Sequence, residues 1–307
     1  MSKLNLAELT TEKRNPETMN LDEMRIEDIL CVMNREDEKV VKAVKAVLPK
    51  VAEIIGFTTK SLKAGGRIIY IGAGTSGRLG VLDAVECPPT FGVSDEVVVG
   101  VIAGGEKAFV KAVEGAEDSP ELGERDLKAL KVGAADTVIG LTASGRTPYV
   151  IGALKYASQA GCATASISCN SGSGVSSYAD VAVEVDTGPE VLSGSTRLKA
   201  GTAEKMILNM ISTVSMVETG KVYKNLMVDV RQTNEKLMVR AENIVMQAAG
   251  CSGEEARRAL EEAGGEAKPA ILSLLLKLDM KETKSLLEET DGKIRNAISL
   301  YKYEGNH

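Results

Sequence analysis

Short apolar runs alternate with segments of helical periodicity between residues 67 and 188. The first run is RIIYIG, which begins at Arg67. The other four are VVVGVIAGG from Val97, DTVIGLTASG from Asp136, ATASISCN from Ala163 and VAVEVDTG from Val181. Apolar strands separated by helices are typical of a parallel sheet that is covered on both faces. The pattern therefore predicts an α/β fold with a five-stranded, mainly parallel sheet flanked by helices.

Helical periodicity begins near Leu21 and continues to Gly65, where two consecutive glycines are expected to end the helix. Residues 1–19 are polar and are predicted to be extended. Three shorter helices are predicted between the strands: RLGVLDAVE ended by Pro88-Pro89, KAFVKAVEGAED ended by Gly115, and TPYVIGALKYASQAG ended by Gly161.

The chain after the fifth strand is predicted to be mostly helical. The segment from Lys199 to Thr219 is apolar on nearly every side, which favours a buried helix in a core or a dimer interface. Two later stretches fit capping boxes, Ser252 with Glu255 and Asp279 with Glu282, and indicate a small C-terminal helical bundle. We predict three segments: an N-terminal extension with helices (residues 1–66), a core that includes the long helix (67–236) and the bundle (237–307).

Composition and charge argue against two kinds of partner, nucleic acids and membranes. The net charge is -6 and the chain has no cluster of Lys and Arg, so we expect no nucleic-acid partner. The first residues lack the apolar core of a signal peptide, and the apolar stretch AILSLLLKL is too short to span a bilayer. We therefore expect a cytoplasmic protein with no membrane partner.

The counts of cysteine and histidine restrict the chemistry. Five scattered cysteines with no C-x-x-C pair argue against disulfides and zinc and favour buried free thiols, with Cys87 the exception to watch. The single histidine is the terminal residue, His307, so we expect no histidine-based triad or metal site. Proton transfer is then left to carboxylates, Lys, Tyr or Cys.

The spacing G-x-G-x-x-G occurs directly after the first strand, at Gly72, Gly74 and Gly77. This is the spacing of a dinucleotide-binding loop. Such a site also needs an acidic residue at the end of the next strand, about 20 residues further on. Glu106 lies too far along the chain, which weakens the dinucleotide interpretation.

Hydroxyl groups at the strand-to-helix turns favour a different ligand. Helix N-termini attract anions, and hydroxyls add hydrogen-bond donors. The candidate substrate-binding residues are Thr75 and Ser76 after the first strand and Ser144, Gly145, Arg146 and Thr147 after the third. SCNSGSGVSS after the fourth strand adds a third hydroxyl-rich loop. Together these turns predict a cup for one phosphate and a polyol, although Ser and Gly also build ordinary turns.

Two carboxylates are the candidate catalytic residues. Glu86 precedes Pro88-Pro89, and Glu117 follows a glycine within an acidic stretch, where a solvated turn is the competing interpretation. Arg197 and Lys199 precede the long apolar helix and either help to neutralise phosphate or form a surface salt bridge.

Several long strings carry a resemblance to a known family. They are GAGTSGRLGVLDAVECPPTFG, IAGGEKA, AVEGAEDS, ASGRTPYVIGAL, SCNSGS, STRLKAGTAEKMILNMIST and NLMVDVRQTN. Together they resemble the bacterial N-acetylmuramic acid 6-phosphate etherases of the sugar isomerase (SIS) superfamily. The resemblance extends from RNPETMN to the C-terminal helices.

The resemblance implies a lyase that cleaves the lactyl ether of N-acetylmuramate 6-phosphate without metal or nucleotide. Its products would be N-acetylglucosamine 6-phosphate and (R)-lactate, in the recycling of cell-wall sugars. The two catalytic glutamates of the family fall on Glu86, as the acid that protonates lactate and then activates water, and on Glu117, as the base at C2. SIS domains usually pair, which implies a homodimer.

Three alternatives stay open. A phosphosugar isomerase could use the same fold, although SIS isomerases commonly employ a histidine for ring opening. A sugar-phosphate-sensing regulator, similar to the animal glucokinase regulatory protein, would carry two SIS domains, and 307 residues hold only one plus a small bundle. A dinucleotide-dependent oxidoreductase is the weakest of the three.

Overall fold

A computed structural model of the chain describes residues 9–111, 113–230 and 235–304. Its internal contacts divide the chain into two compact units. The first consists of the described residues within Met1–Val85 and Glu96–Ser212, and the second of those within Glu86–Asp95 and Thr213–His307. Each unit is described by itself below.

A five-stranded parallel sheet forms the centre of the first unit. Its strands are β1 (Ile68–Gly72), β2 (Val98–Ile102), β3 (Thr137–Thr142), β4 (Ala163–Ser168) and β5 (Val181–Glu184). They lie in the order β2-β1-β3-β4-β5, and every neighbouring pair is parallel. All residues of β1 and β3 are buried, as expected for strands covered on both faces. The predicted sheet is confirmed.

Helices precede, connect and follow these strands in the described part of the chain. They are α1 (Ile26–Lys63), α2 (Gly74–Phe91), α3 (Lys107–Val110), α4 (Pro120–Ala129), α5 (Pro148–Gln159) and α6 (Lys199–Glu218). The chain leaves α1 through Gly65, which has φ +75° and therefore a conformation that favours glycine, as predicted.

Helix α2 continues through Pro88 and Pro89, so the predicted break at these residues is wrong. Proline lacks an N–H donor, yet its carbonyl can still accept. The N–H of Gly92 donates to the carbonyl oxygen of Pro88 at 3.0 Å. The helix ends instead at Gly92, which adopts φ +66°.

The segment between β2 and β3 also differs from the prediction. The helix predicted up to Gly115 is only one turn long, α3, and a 3-10 turn at Ala116–Asp118 follows it. The next helix, α4, was not predicted. It begins with Ser119, whose hydroxyl oxygen accepts a hydrogen bond from the N–H of Leu122, and with Pro120 in the first turn. Serine before proline is a helix-start signal that the pattern contained.

Residues 9–25 contain three short 3-10 turns, whereas residues 1–19 were predicted to be extended; residues 1–8 lie outside the described residues. Three polar side chains of this segment, Thr11, Asn15 and Thr18, are buried. The side-chain amide of Asn15 donates to the Pro189 carbonyl, and the hydroxyl of Thr18 donates to the Val191 carbonyl. These hydrogen bonds explain why a polar segment is ordered without an apolar core of its own.

The core of the first unit lies between the sheet and its helices. One cluster joins Ile69, Ile71 and Val138 of the sheet to Tyr149 and Leu154 of α5. Helix α6 is partly exposed in the single chain, because Val214 and Val217 on its later turns are 39% and 40% exposed. Burial of these turns in a dimer interface stays a prediction.

The second unit is mainly helical. It contains the two-stranded ribbon β6 (Val222–Tyr223) and β7 (Leu226–Met227), and the helices α7 (Glu235–Ala249), α8 (Gly253–Glu262), α9 (Ala267–Leu276), α10 (Met280–Glu289) and α11 (Ile294–Glu304). Both predicted capping boxes, which open α8 and α10, are confirmed. Its core consists of small and aliphatic side chains such as Ala241, Val245, Ile271 and Leu272. No described helix is both long and apolar enough to cross a lipid bilayer.

Candidate active site

The glycines after β1 are required by close packing of the backbone. A Cβ atom added to Gly77 would lie 2.7 Å from the carbonyl oxygen of Gly72, and one added to Gly72 would lie 2.9 Å from the amide nitrogen of Gly77. Between them, Gly74 adopts φ +54°. The strand end and the first turn of α2 can therefore touch. This packing accounts for the G-x-G-x-x-G spacing without a dinucleotide.

Thr75 and Ser76 lie in the first turn of α2, where backbone N–H groups are left without helical partners. The side chain of Thr75 is half-buried, and Ser76 is buried. The hydroxyl of Ser76 lies 2.8 Å from Oε1 of Glu204 and donates to it when that carboxylate is ionised. One of the two predicted phosphate-binding hydroxyls thus already has a partner inside the protein.

The second predicted turn follows β3 and is organised around Thr142. The hydroxyl of Thr142 lies 2.7 Å from that of Thr147 and accepts from the N–H of Gly145 at 3.2 Å. The hydroxyl oxygen of Ser144 accepts from the N–H of Arg146 at 3.3 Å. Ser144, Arg146 and Thr147 are half-buried, so their side chains are partly open to solvent. Since β1 and β3 are neighbours, both turns lie at the same edge of the sheet.

The loop after β4 has a supporting role. The hydroxyl of Ser173 donates to the Asn170 carbonyl at 2.7 Å, and that of Ser176 donates to Glu184 at 2.6 Å. Glu184 also accepts from the N–H groups of Gly172 and Ser173. Burial acts to raise the pKa of Glu184, but these hydrogen bonds outweigh it and hold the pKa below its usual value. The hydroxyls of Ser173 and Ser176 are thus engaged inside the protein.

This loop also fixes the turn after β3. The side-chain amide of Asn170 donates to the Ala143 carbonyl at 2.9 Å, and the N–H of Val175 donates to the Gly145 carbonyl at 2.9 Å. A site built on the turn after β3 is therefore held by hydrogen bonds from a second loop.

Glu117 is exposed and lies on the 3-10 turn between α3 and α4. Its neighbour Ala116 is buried in the cluster that includes Tyr149 and Val150 of α5. Gly115, with φ +74°, begins the turn. The backbone that carries this carboxylate is therefore anchored, while the side chain faces solvent.

Glu86 is exposed on α2 and is followed by the buried Cys87. It belongs to the second unit, whereas the two turns and Glu117 belong to the first.

Lys199 is not available to a ligand. Its Nζ atom lies 2.6 Å from Oε2 of Glu36, and both side chains are almost completely buried. The backbone N–H groups of Lys199 and Ala200, the first two residues of α6, donate to the buried carboxylate of Glu190. The prediction of a phosphate-neutralising or surface lysine is wrong, while Arg197 is exposed.

The residue that sequence reasoning missed is Glu204, on the second turn of α6. It is 1% exposed. Burial raises its pKa to about 8, and the hydrogen bond from Ser76 lowers it only in part. A signal was present: Ala200, Ala203, Ile207 and Leu208, at helical spacing around it, place Glu204 on the apolar face of its helix.

Comparison with known proteins defines the class first. The family model for the glucokinase regulatory protein N-terminal SIS domain matches residues 50–158, and the SIS domain model matches residues 117–213. A phosphoheptose isomerase from Francisella tularensis is 16% identical, with a TM-score of 0.49, over 63% of this chain and 100% of that chain. The two family models together span residues 50–213, so the chain contains an SIS domain.

Relatives in sequence give the family. An N-acetylmuramic acid 6-phosphate etherase from Pectobacterium atrosepticum is 57% identical over 96% of this chain and 97% of its own length. One from Bacillus mycoides is 56% identical over 95% of this chain and 100% of its own length. The chain belongs to the family of N-acetylmuramic acid 6-phosphate etherases.

Proposed function

We propose that this protein cleaves the lactyl ether of N-acetylmuramate 6-phosphate and produces N-acetylglucosamine 6-phosphate and (R)-lactate. The proposal is carried by the similarity in sequence: the chain is 57% identical, over 96% of its length, to a protein named N-acetylmuramic acid 6-phosphate etherase. The two neighbouring turns at the carboxyl edge of the sheet support it, because ligands of open α/β sheets bind at this edge.

The turns supply groups that suit a sugar phosphate. The free N–H groups at the start of α2 and α5 favour an anion, and hydroxyls beside them add donors. We assign substrate binding to the following residues: Thr75, Ser76, Ser144, Gly145, Arg146 and Thr147. Arg146 is half-buried, with a permanent positive charge that can pair with phosphate.

The proposed reaction is an elimination followed by hydration. The carboxylate of Glu117 accepts the proton at C2 of the open-chain aldehyde, the C3–O bond breaks, and Glu86 donates a proton to the departing lactate oxygen. Water then adds at C3 as Glu86 takes a proton from it, and Glu117 returns the proton to C2. The adjacent aldehyde makes the C2 proton acidic enough for a well-placed glutamate.

Incubation with N-acetylmuramate 6-phosphate in ¹⁸O-labelled water tests the reaction. Lactate should be released without label, and the sugar product should carry ¹⁸O at C3, since the mechanism breaks the C3–O bond. Substrate that is isomerised but keeps its lactyl group would instead support a phosphosugar isomerase. Substrate that binds and stays intact would support a sensor.

Two substitutions test the carboxylates. Glu86→Gln and Glu117→Gln should each reduce lactate release by 100-fold or more, on the order of the contribution of general acid–base catalysis. Glu114→Gln is the matched control for Glu117, because it is an exposed glutamate in the same acidic stretch. Equal activity of Glu117→Gln and Glu114→Gln would remove Glu117 from the mechanism.

We further propose that the protein is a cytoplasmic homodimer. An apolar groove of about 750 Å³ in the first unit supports the dimer. Its lining includes Val85, Phe109 and Val110, which are 56%, 42% and 81% exposed.

Light scattering should give twice the chain mass for the wild type and the single-chain mass for Val110→Asp. Val41→Asp on α1, another exposed apolar position, should stay dimeric. Cell fractionation tests the location.

A further inference from the structure

Glu204 lies directly behind the turn that is proposed to hold phosphate. Its Oε1 atom is 2.8 Å from the hydroxyl oxygen of Ser76, and both residues are buried. One turn earlier on α6, Gly201 faces Thr75 and Leu79 of α2, where an added Cβ would lie 3.5 Å from the methyl group of Thr75. The start of α6 thus packs against the start of α2 and brings a carboxyl group to the back of the anion-binding turn.

The surroundings of Glu204 favour the protonated carboxyl group. Its second oxygen, Oε2, is buried and has no hydrogen-bond partner among the described residues. Ser76 provides the one hydrogen bond that favours ionisation, and within the described chain no Lys or Arg offsets the cost of burial. Burial raises the pKa to about 8, so the neutral acid predominates at pH 7.

Two other titratable groups lie near the contact between Glu204 and Ser76, but neither takes the place of Glu204 as the partner of Ser76. The thiol of Cys169, after β4, is close enough to interact with Glu204. Its pKa lies well above the usual value, mainly because it is buried and also because carboxylates, those of Glu204, Glu190 and Asp186, lie nearby. Asp83, two turns further along α2, accepts hydrogen bonds from Asn209 and Ser212 of α6. Asp83 is therefore a buried carboxylate between the same helices, but it does not touch Ser76.

We propose that Glu204 is a positioning residue for substrate phosphate: in its protonated form it donates a hydrogen bond to the Ser76 oxygen, which leaves the Ser76 O–H free to donate to the phosphate. When Glu204 ionises, the serine proton turns to the carboxylate, and a negative charge lies behind the bound anion. Phosphate affinity therefore falls as Glu204 loses its proton. The proposal rests on the proposed function, through the assignment of Ser76 to phosphate.

The test measures KM for N-acetylmuramate 6-phosphate, by lactate release, from pH 6.5 to 9.5 in the wild type and Glu204→Gln. The substrate phosphate is a dianion over most of this range, since its second pKa is about 6. In the wild type, KM should rise about tenfold between pH 7 and pH 9, because one ionisation near pH 8 removes the competent form. The amide of Glu204→Gln can donate at every pH, so its KM should stay flat. The change is expected in KM rather than in kcat.

Asp83→Asn is the matched control and should retain the wild-type rise in KM, because Asp83 lies between the same helices without contact to Ser76. Ser76→Ala should raise KM at every pH and make the rise between pH 7 and pH 9 smaller, because the switch of the serine proton is lost and only the charge of Glu204 remains. This second variant decides the matter if Glu204→Gln does not fold.

The role of Glu204 would be overturned if KM of Glu204→Gln rose with pH as in the wild type. It would also be overturned if KM stayed flat in both Glu204→Gln and Asp83→Asn. Failure of the proposed function looks different, because the wild type would then release no lactate at any pH. In that case, calorimetry with inorganic phosphate over the same pH range decides the role of Glu204. Affinity should fall with pH in the wild type and not in Glu204→Gln, and parallel curves would refute the proposal.

Discussion

At the scale of single residues, the ion pair between Glu36 and Lys199 has almost no contact with solvent. Burial acts to raise the pKa of Glu36, but the hydrogen bonds from Lys199 and Lys39 outweigh it and lower the pKa below its usual 4.5. A buried pair of this kind is a weak source of net stability, because removing two charges from water is costly. Removal of one partner is far more damaging, since the other charge stays behind.

Lys199→Met should therefore lower the free energy of unfolding by about 3–5 kcal/mol, measured by urea denaturation. Adding Glu36→Gln to this variant should recover much of the loss, because the buried carboxylate that has lost its buried partner is then removed. Lys50→Met is the control: its partner is Glu53, both side chains are about half exposed, and the cost should be below about 1 kcal/mol. A loss in Lys199→Met no larger than in the control would contradict this account.

Glu204 links stability to pH in the opposite sense from Glu36. Its pKa is raised from 4.5 to about 8 in the folded protein, so the folded state binds more protons than the unfolded state between these values. Wild-type stability relative to Glu204→Gln should thus fall by on the order of 1 kcal/mol per pH unit from pH 5 to pH 8, and then level off. Urea denaturation at several pH values measures this difference, and a constant difference would show that the carboxyl group does not titrate there.

At the scale of elements, the turn from β1 into α2 depends on two glycines that touch. A Cβ on Gly77 would lie 2.7 Å from the Gly72 carbonyl oxygen and 2.8 Å from a side-chain carbon of Ile102. A Cβ on Gly56, inside α1, would have no neighbouring atom within 4 Å. The same substitution should therefore have opposite effects at the two sites.

Gly77→Ala should lower the free energy of unfolding by about 1–3 kcal/mol, because a tightly packed site is overfilled. Gly56→Ala should raise it by about 0.5–1 kcal/mol, since alanine is the better helix former. Thermal and urea unfolding of both variants decide the question. Stabilisation by Gly77→Ala would mean that strand and helix are not in close contact.

Elements were the best-predicted part of the fold. The five strands and both capping boxes followed from local patterns, because short apolar runs and Ser or Asp three residues before Glu act over a few residues. Helix α2 was cut short because proline usually ends a helix, but the Pro88 carbonyl still accepts from Gly92. Helix α6 was predicted to be buried in a core or a dimer interface. Val214 and Val217 are exposed in the single chain, so for these turns the dimer interface stays a prediction.

At the scale of the whole molecule, the chain consists of two compact units, each with its own apolar core. The division into residues 1–66, 67–236 and 237–307 stays a prediction, which limited proteolysis can test. None of the five cysteines, all of which lie in the described residues, forms a disulfide: Cys31 is exposed, Cys251 is half-buried, and Cys87, Cys162 and Cys169 are buried. The predicted burial is thus confirmed for three thiols, including that of Cys87, and is wrong for the exposed Cys31 and the half-buried Cys251.

A thiol titration checks this distribution. The native protein should react rapidly at Cys31, more slowly at Cys251, and at the other three only after unfolding. Burial raises the pKa of Cys162 to about 11, which further reduces its reactivity at neutral pH. Cys31→Ser should remove the fast phase. A fast phase that persists in Cys31→Ser would place another cysteine at the surface.

Patterns along the chain were enough to predict the five strands, the capped starts of α8 and α10, and the family, because each of these can be read from residues that are neighbours in the sequence. Which side chains of distant segments come into contact depended on how the helices pack against one another and on the sheet. Glu204 is 128 residues from Ser76, and Lys199 is 163 residues from Glu36, yet each pair is in hydrogen-bond contact. Burial and pairing set the charge of these groups, and both arise only when distant helices pack. The acid behind the glycine turn was therefore invisible in the motif that directed attention to that turn.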